Sequence, residues 1–265
     1  MKEARYFYVP GAATAGELPA DEAAHALRVL RLHNGDEIYL IDGEGTFYRA
    51  VVTEAATKRC AYKISETLPQ TKPWHAHIHI AMAPVKMIDR TEWLAEKATE
   101  MGIDELTMLN CTLSERKTIR VDRLERIIVA AMKQSRKAWM PVVNGMTDFN
   151  LFVTTPRAGR KFIAHCREDI PRTDLAAELG IGKRHTRSAE SPVQERVKPP
   201  QAEDRSPEDI TVMIGPEGDF SAGEVRLAID CGYTPVSLGA SRLRTETAAL
   251  YATMLAQTAN RIMND

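Results

Sequence analysis

Val212-Met213-Ile214-Gly215-Pro216-Glu217-Gly218, then Ser237-Leu238-Gly239, then Leu243-Arg244-Thr245-Glu246-Thr247-Ala248-Ala249 are the stretches that decide the fold class of this chain. Two apolar runs each deliver a glycine-containing turn, and each turn is followed by a helix start. That is the layout of a ligand site at the carboxyl ends of strands in an α/β sheet. Glycine suits such a turn because backbone without a Cβ approaches a ligand closely and takes positive φ. The turn lacks the G-x-G-x-x-G spacing of dinucleotide folds and the lysine of a P-loop. Glu217 also puts a carboxylate in the loop, which would repel a phosphate, so a neutral or cationic ligand is expected. Alone, a P-x-G turn is most often structural. Joined to Leu238-Gly239 and the helix start at Thr245, it reads as a ligand site.

Outward from these turns the chain alternates strands and helices. Lys161 to His165 and Ile210 to Ile214 are buried-strand candidates. Ser221 and Glu224 form a capping box for a helix ending near Cys231-Gly232. Pro235 to Leu238 is a last strand, and Thr245 to Met263 a long terminal helix. Upstream, Trp74 to Met82 alternates strictly, with His75, His77 and His79 on one face and Ala76, Ile78, Ile80 and Met82 on the other. Asp89 caps a helix that stops at Gly102. Glu105 to Asn110 is a short strand. Asp122, with Glu125 three residues on, starts a helix whose apolar face is Leu124, Ile127, Ile128 and Ala131. This alternation implies a largely parallel sheet covered by helices.

The first 70 or so residues read as a separate β-rich domain. A helix from Ala20 to Leu32 sets Leu27 and Leu30 on one side and His25, Arg28 and Arg31 near another. Glu37 to Ile41 and Phe47 to Val52 are strands joined by the Asp42-Gly43-Glu44-Gly45 turn. Pro69 to Pro73 is the linker. Expected domains are therefore 1–70 and 73–265. One stretch breaks the second domain. No aromatic residue lies between Phe162 and Phe220, and Pro192, Pro199, Pro200 and Pro207 interrupt a charged run. Such a stretch buries too little apolar surface to offset its ordering entropy. Residues 171–207 are expected to be a mobile insertion, a plain surface loop before a flap over the site.

At 265 residues, 44% of them hydrophobic, the chain suits one large domain or two modest ones. No apolar run approaches the ~20 residues that span a bilayer. The start, Met1-Lys2-Glu3-Ala4-Arg5, lacks the apolar core of a signal peptide. Cys60, Cys111, Cys166 and Cys231 form no C-x-x-C pair and read as reduced thiols of a cytoplasmic protein. A formal net charge of −1 does not announce a nucleic-acid binder, yet Cys111 to Met140 holds eight Lys/Arg against three Asp/Glu. A local basic stripe of this kind can serve RNA on a neutral protein.

I-G-P-E-G followed by S-x-x-E, then L-G-x-x-x-L-R-T-E-T-A, resembles the small-subunit ribosomal RNA uridine-N3 methyltransferases of the SPOUT class (the RsmE family). The likeness extends over most of the chain. Arg5-Tyr6-Phe7 and His25 to Arg31 followed by Asn34-Gly35-Asp36 resemble its RNA-binding domain. Lys97 to Gly102 and Gln134-Ser135-Arg136 resemble its catalytic-domain signatures. There are two departures. Many relatives carry Glu where this chain has Lys133, and many read E-G-G where it has Asp219 after Gly218.

The resemblance implies an N-terminal PUA-like β-barrel domain and a C-terminal SPOUT-type α/β domain whose strands form a deep trefoil knot. Chain physics alone would not propose a knot. It implies S-adenosylmethionine held by Ile214, Gly215, Pro216, Glu217, Gly218, Leu238, Gly239, Leu243, Thr245 and Ala248. It implies a homodimer, for which the terminal helix offers an apolar surface, and ribosomal RNA as partner, with neither membrane nor metal.

The methyl of a sulfonium is already activated, so transfer is mostly alignment. Uracil N3 is a poor nucleophile until its proton leaves, so the site must accept that proton or stabilise the anion on O2 and O4. Arg244 is the candidate for that charge, and Glu246 for capping, orienting Arg244 or removing the proton. The plain alternative is a helix cap with a paired arginine. N3 lies on the Watson–Crick edge, so the target must be unpaired or flipped. Arg5, His25, Arg28, Arg31, Lys86, Arg90, Arg116 and Arg136 are candidate RNA contacts, each with solvated charge as its alternative. The His75/His77/His79 face is read as a polar strand face, since no carboxylate or cysteine cluster accompanies it to hold a metal. Trp93 and Trp139 are read as packing before base stacking. A SPOUT enzyme with another RNA target and a non-catalytic RNA-binding relative are the competing functions.

Overall fold

A computed structural model of the chain describes residues 4–181 and 208–264. Its elements run β1 (Tyr6–Tyr8), α1 (Ala12–Ala15), α2 (Ala20–Ala24), β2 (Glu37–Ile41), β3 (Thr46–Ala55) and β4 (Cys60–Pro69). Next come β5 (Ile78–Met82), α3 (Ile88–Met101), β6 (Glu105–Asn110), α4 (Val121–Ser135), β7 (Val142–Asp148), α5 (Phe149–Thr154) and β8 (Arg160–Ala164). The last are β9 (Thr173–Asp174), α6 (Leu175–Glu178), β10 (Ile210–Ile214), α7 (Ala222–Asp230), β11 (Thr234–Ser237) and α8 (Thr245–Asn264). Packing divides them into two compact units. One comprises Met1–Pro73, Ala95–Glu100 and Val121–Val142, and the other Trp74–Leu94, Met101–Arg120 and Val143–Asp265.

The first unit is built on a sheet ordered β1-β2-β3-β4. Alternation sends Phe7, Ile38, Leu40, Tyr48, Ala50 and Val52 into one core. Residues 16–18 add to the free side of β4, with Leu18 N donating to Cys60 O and Tyr62 N to Gly16 O. This curls the sheet toward a barrel. The helix expected over 20–32 is α2 followed by a π-helical turn, His25–Val29, in which Leu30 N donates to His25 O at 3.1 Å. Arg31, at φ 51, ends it. The wider turn leaves His25, Arg28 and Arg31 all exposed. Segment 121–142 completes this unit. Lys133 on α4 pairs with the buried Glu22 on α2 at 2.5 Å, which gives the first departure from the family pattern a structural role. Gly45 N donates to Ala138 O, and a Cβ at Gly45 would come within 2.9 Å of the Trp139 ring. Trp139 thus packs on the hairpin turn.

The second unit holds a seven-stranded sheet ordered β7-β6-β5-β10-β8-β11-β9. The pairs β6/β5, β5/β10, β10/β8, β8/β11 and β11/β9 are all parallel. β10 reads ITVMI and is buried at every position, as expected of a parallel strand covered on both faces. So is β5, which corrects the polar-face expectation: the strand starts only at Ile78, and His79 is buried. Of the three histidines His75 is exposed, His77 half-buried and His79 buried. α3 ends at Gly102, whose φ of +101 and contact with Trp74 leave no room for a side chain. Trp93 is 42% exposed, so the packing expected of it is partial.

The expected mobile insertion is also corrected in its first part. Residues 171–181 include β9, paired to β11, and α6, with Leu175 and Leu179 buried. The remainder, 182–207, lies outside the described residues. Among the described residues no helix is long and apolar enough to cross a membrane.

Candidate active site

Because β5, β10, β8 and β11 run parallel, their carboxyl ends share one edge of the sheet. β10 is the central strand, and its loop is braced to both neighbours. On one side, Lys86 N, in the loop after β5, donates to Glu217 Oε1 at 2.9 Å. On the other, Cys166 N, in the loop after β8, donates to Asp219 Oδ2 at 2.8 Å. The carboxylate expected to face the ligand is therefore a tie between loops. Asp219 sits at φ 66, in the left-handed region where glycine is easiest and Asp better tolerated than most residues. This accounts for the second departure from the family pattern. Asp219 keeps the backbone shape a glycine would give, and its side chain adds the brace to Cys166.

Further contacts fix the same loops. Asp219 N donates to Pro216 O, closing the turn, and Phe220 N donates to Asp219 Oδ1. Arg116 donates from Nε to Val85 O at 3.0 Å and from Nη2 to Lys86 O at 2.6 Å. The capping box of α7 is present, and its Glu224 accepts from Thr112 N at 2.7 Å as well. Buried carboxylates hydrogen-bonded by backbone N–H groups make rigid joints. Gly215 is bare of necessity, since a Cβ there would meet Phe220 N and its ring at 3.1 Å. Gly239, at φ +92 with open space around it, leaves backbone accessible at the second turn.

Two polar groups at this edge lack partners among the described residues. His165 follows β8 and is 4% exposed. Arg167 N donates to its Nδ1 at 3.2 Å, so the neutral ring carries its proton on Nε2. That Nε2–H is buried with no acceptor among the described residues. Burial depresses the ring's pKa and keeps it neutral. Arg244, just before α8, is exposed and makes no ion pair among the described residues. Glu246, one turn-residue inside α8, is buried and faces Arg90 Nε at 3.7 Å. The sequence-based alternative of a Glu246–Arg244 pair is not what forms.

Of the RNA candidates, Lys86, Arg90 and Arg116 lie in the second unit. Lys86 Nζ pairs with Glu115 at 2.9 Å, and Arg116 clamps the loop after β5. Arg5, His25, Arg28, Arg31 and Arg136 lie in the first. Arg5 pairs loosely with Asp36 at 3.8 Å, and Arg136 lies over the Tyr6 ring. Sequence reasoning named Lys86 as an RNA contact but missed that the loops after β5 and β8 brace the glycine turn, through Lys86 N and Cys166 N, and that His165 lies buried beside it. The only available signal was their position after buried strands.

A second polar cluster lies at the amino ends of β5 and β6. His77 Nε2 is 3.0 Å from Glu105 Oε2, and His79 Nε2 is 2.8 Å from Thr107 Oγ1. Asn144 Nδ2 donates to Glu105 Oε1 and Thr107 Oγ1. A carboxylate does accompany the histidines, contrary to expectation. Even so, no group of three or more His, Cys, Asp or Glu able to hold a metal occurs among the described residues.

Residues 72–257 match the family model of the RNA methyltransferase domain, and residues 18–64 that of the RNA methyltransferase PUA domain. Over 260 residues the chain is 28% identical to ribosomal RNA small subunit methyltransferase E of Mycobacterium tuberculosis, covering 94% of this chain and 89% of that one. The Synechocystis protein of the same name is 27% identical over 85% of this chain and 67% of its own. Among solved structures, a "probable rRNA-methyltransferase" from Porphyromonas gingivalis superposes with a TM-score of 0.82 at 38% identity, covering 98% and 99% of the two chains. A methyltransferase from Legionella pneumophila, solved with the bound cofactor SAM, superposes with a TM-score of 0.77 at 26% identity, covering 97% and 98%.

Proposed function

We propose a specific reaction for this chain, which belongs to the RNA methyltransferase domain family: methyl transfer from S-adenosylmethionine to N3 of a uridine in 16S ribosomal RNA. The observation that carries this reading is the doubly braced Gly215–Asp219 loop, set among strand ends beside His165, whose buried Nε2 has no partner among the described residues. The names of the Mycobacterium and Synechocystis relatives support the ribosomal substrate, and the SAM-bound Legionella structure supports the cofactor.

The residues present fit that cofactor. His165 Nε2 offers a buried donor with no acceptor among the described residues, suited to a carboxylate or a ribose hydroxyl. Gly239, with open space where a Cβ would stand, leaves backbone bare where a ligand can approach, and Gly215 lets the turn close on Phe220. Glu217 and Asp219 make the loop's local charge negative, which favours a sulfonium cation over a phosphate. Ile214, Gly215, Pro216, Glu217, Gly218, Leu238, Gly239, Leu243, Thr245 and Ala248 form the cradle in this reading. Bound S-adenosylmethionine supplies an activated methyl on a positive sulfur.

The chain's own part is alignment and charge. Arg244 stabilises the negative charge that spreads to uracil O2 and O4 as N3 loses its proton. Glu246, buried against Arg90, fixes the first turn of α8 and so positions Arg244. Lys86, Arg90 and Arg116 in the second unit offer cationic contacts to RNA, as do Arg5, His25, Arg28, Arg31 and Arg136 in the first. α8 presents Tyr251, Met254 and Ile262, 39%, 43% and 55% exposed, along one face, which supports pairing with a second copy. The strand order, with β10 inserted between β5 and β8, supports the trefoil knot. A ribosomal RNA substrate sets its place of action in the cytoplasm.

Mapping N3-methyluridine in small-subunit RNA from cells with and without the protein tests the reaction. One position should lose its methyl in the deletion strain and regain it on complementation. Every N3-methyluridine persisting would overturn the assignment.

A further inference from the structure

The sheet of the first unit carries an aromatic patch on the face turned away from its core. Alternation buries Phe7, Leu40 and Tyr48 and sends Tyr6, Tyr39 and Phe47 to the opposite side, where all three are half-buried. Tyr6 and Tyr39 are register partners on β1 and β2, and their ring centroids lie 5.3 Å apart. Phe47 on β3 stands edge-on to Tyr6 at 5.8 Å. Two guanidiniums flank the group. Arg49, the register partner of Tyr39, has Cζ 5.9 Å from the Tyr39 centroid, and Arg136 has Cζ 5.5 Å from that of Tyr6. Arg49 is neutralised by Glu66 at 2.9 Å, whereas Arg136 has no carboxylate partner among the described residues. Arg136, at φ 53, is the residue that ends α4, with Lys137 N donating to Met132 O across the turn, and this fixes where its side chain leaves the helix. Three half-buried rings from three adjacent strands thus share one face, with the chain just after α4 lying over the Tyr6 ring.

We propose that this patch is a stacking platform for unpaired RNA bases, with Arg136 set for the adjoining phosphate. Every base presents a π-face, so partly exposed rings grip single-stranded RNA with little regard to sequence, and a guanidinium beside them binds the backbone. The proposal rests on the RNA-methyltransferase reading and adds to it a contact that recognises bases, where Arg28 and Arg31 contact phosphate. The patch matches an RNA strand better than a protein surface because the charge left without a carboxylate among the described residues is a cation lying over a ring.

The test measures binding of the full chain to a fluorescent single-stranded RNA by anisotropy at several salt concentrations. Tyr39→Ala and Phe47→Ala should each weaken binding about tenfold while the slope of log K against log salt stays unchanged. Tyr39→Phe should restore wild-type affinity. Arg28→Ala with Arg31→Ala should instead flatten the slope. Replacing the oligonucleotide's bases with abasic sites should erase the difference between wild type and the aromatic variants. Wild-type affinity in both aromatic variants would overturn the platform and return the patch to a protein contact. A loss that persists on the abasic strand would overturn it equally. Failure of the wild-type chain to bind any RNA would overturn the functional reading itself.

Discussion

At the amino ends of β5 and β6, His77, His79, Glu105, Thr107 and Asn144 satisfy one another within 3.0 Å. At the carboxyl ends of the same sheet, Glu217, Asp219 and Glu224 hold backbone N–H groups of neighbouring loops, yet His165 Nε2 and Arg244 have no partner among the described residues. Both ends are polar and partly buried. They differ in whether the hydrogen bonds close. A closed network specifies the fold, while an open one leaves directed donors for a ligand to meet. The difference teaches that burial of titratable groups does not by itself locate a site here. The histidine cluster has the more strongly shifted groups, and it is the structural one.

The sharpest way to break this comparison is to remove the charge at the open end. Arg244→Ala should lower the single-turnover rate on the order of 100-fold, a scale typical of oxyanion donors, with cofactor affinity nearly unchanged. Arg244→Lys should recover part of it, since a point charge lacks the planar fork. A normal single-turnover rate with weaker RNA binding would make Arg244 an anchor only. His165→Phe should come next, weakening cofactor binding about tenfold through loss of one buried donor, with the unfolding midpoint little changed. Unaltered affinity would remove His165 from the site. Asp219→Gly should be milder. Glycine keeps the φ of 66 but loses the brace to Cys166, so affinity should fall severalfold as the loop loosens. Asp219→Ala, which also strains the backbone, should fall further, and equal losses would show that the brace is idle.

How much of this was legible follows from which contacts are local. β2, β6 and β10 match the expected Glu37–Ile41, Glu105–Asn110 and Ile210–Ile214 end to end, because each is an apolar run bounded by turn residues. The capping box at Ser221 was equally legible. β7 was not: Gly145 interrupts it, and its residues are half-buried without alternation. β9, two residues long, exists only through its pairing with β11. The loop braces lay beyond reach, since Glu217 and Lys86 are 131 residues apart and Asp219 and Cys166 are 53. Nor does the sequence reveal that 121–142 joins the first unit. Cutting away residues 1–70 would strip Glu22 from Lys133 and the hairpin turn from Trp139. Point substitutions therefore isolate RNA binding better than truncation.

The closed end should answer to pH where the open end answers to ligand. Burial lowers His79 from 6.5 to about 4, while Glu105 raises His77, and His77 holds Glu105 down. As pH falls below 6.5 the unfolded chain takes up a proton at His79 before the folded chain does, so stability declines toward about pH 4. The decline is on the order of 3 kcal/mol. His77 works the other way, its contribution being present below 6.5 and lost as pH rises through its raised folded value. His79→Gln should flatten the acid decline in urea midpoints between pH 7 and pH 4.5 and leave cofactor affinity within about twofold. An unchanged pH slope would mean the cluster is not what titrates.

The central claim is that the braced loops at the carboxyl edge hold S-adenosylmethionine. Calorimetric titration of the cofactor into the full chain and into Gly239→Val tests it directly. The unmodified chain should bind saturably at one cofactor per chain, and Gly239→Val, whose side chain cannot take a φ of +92 without strain, should bind at least tenfold more weakly while its circular dichroism is unchanged. Equal affinity in the two proteins, or no saturable binding to the unmodified chain, would contradict the account.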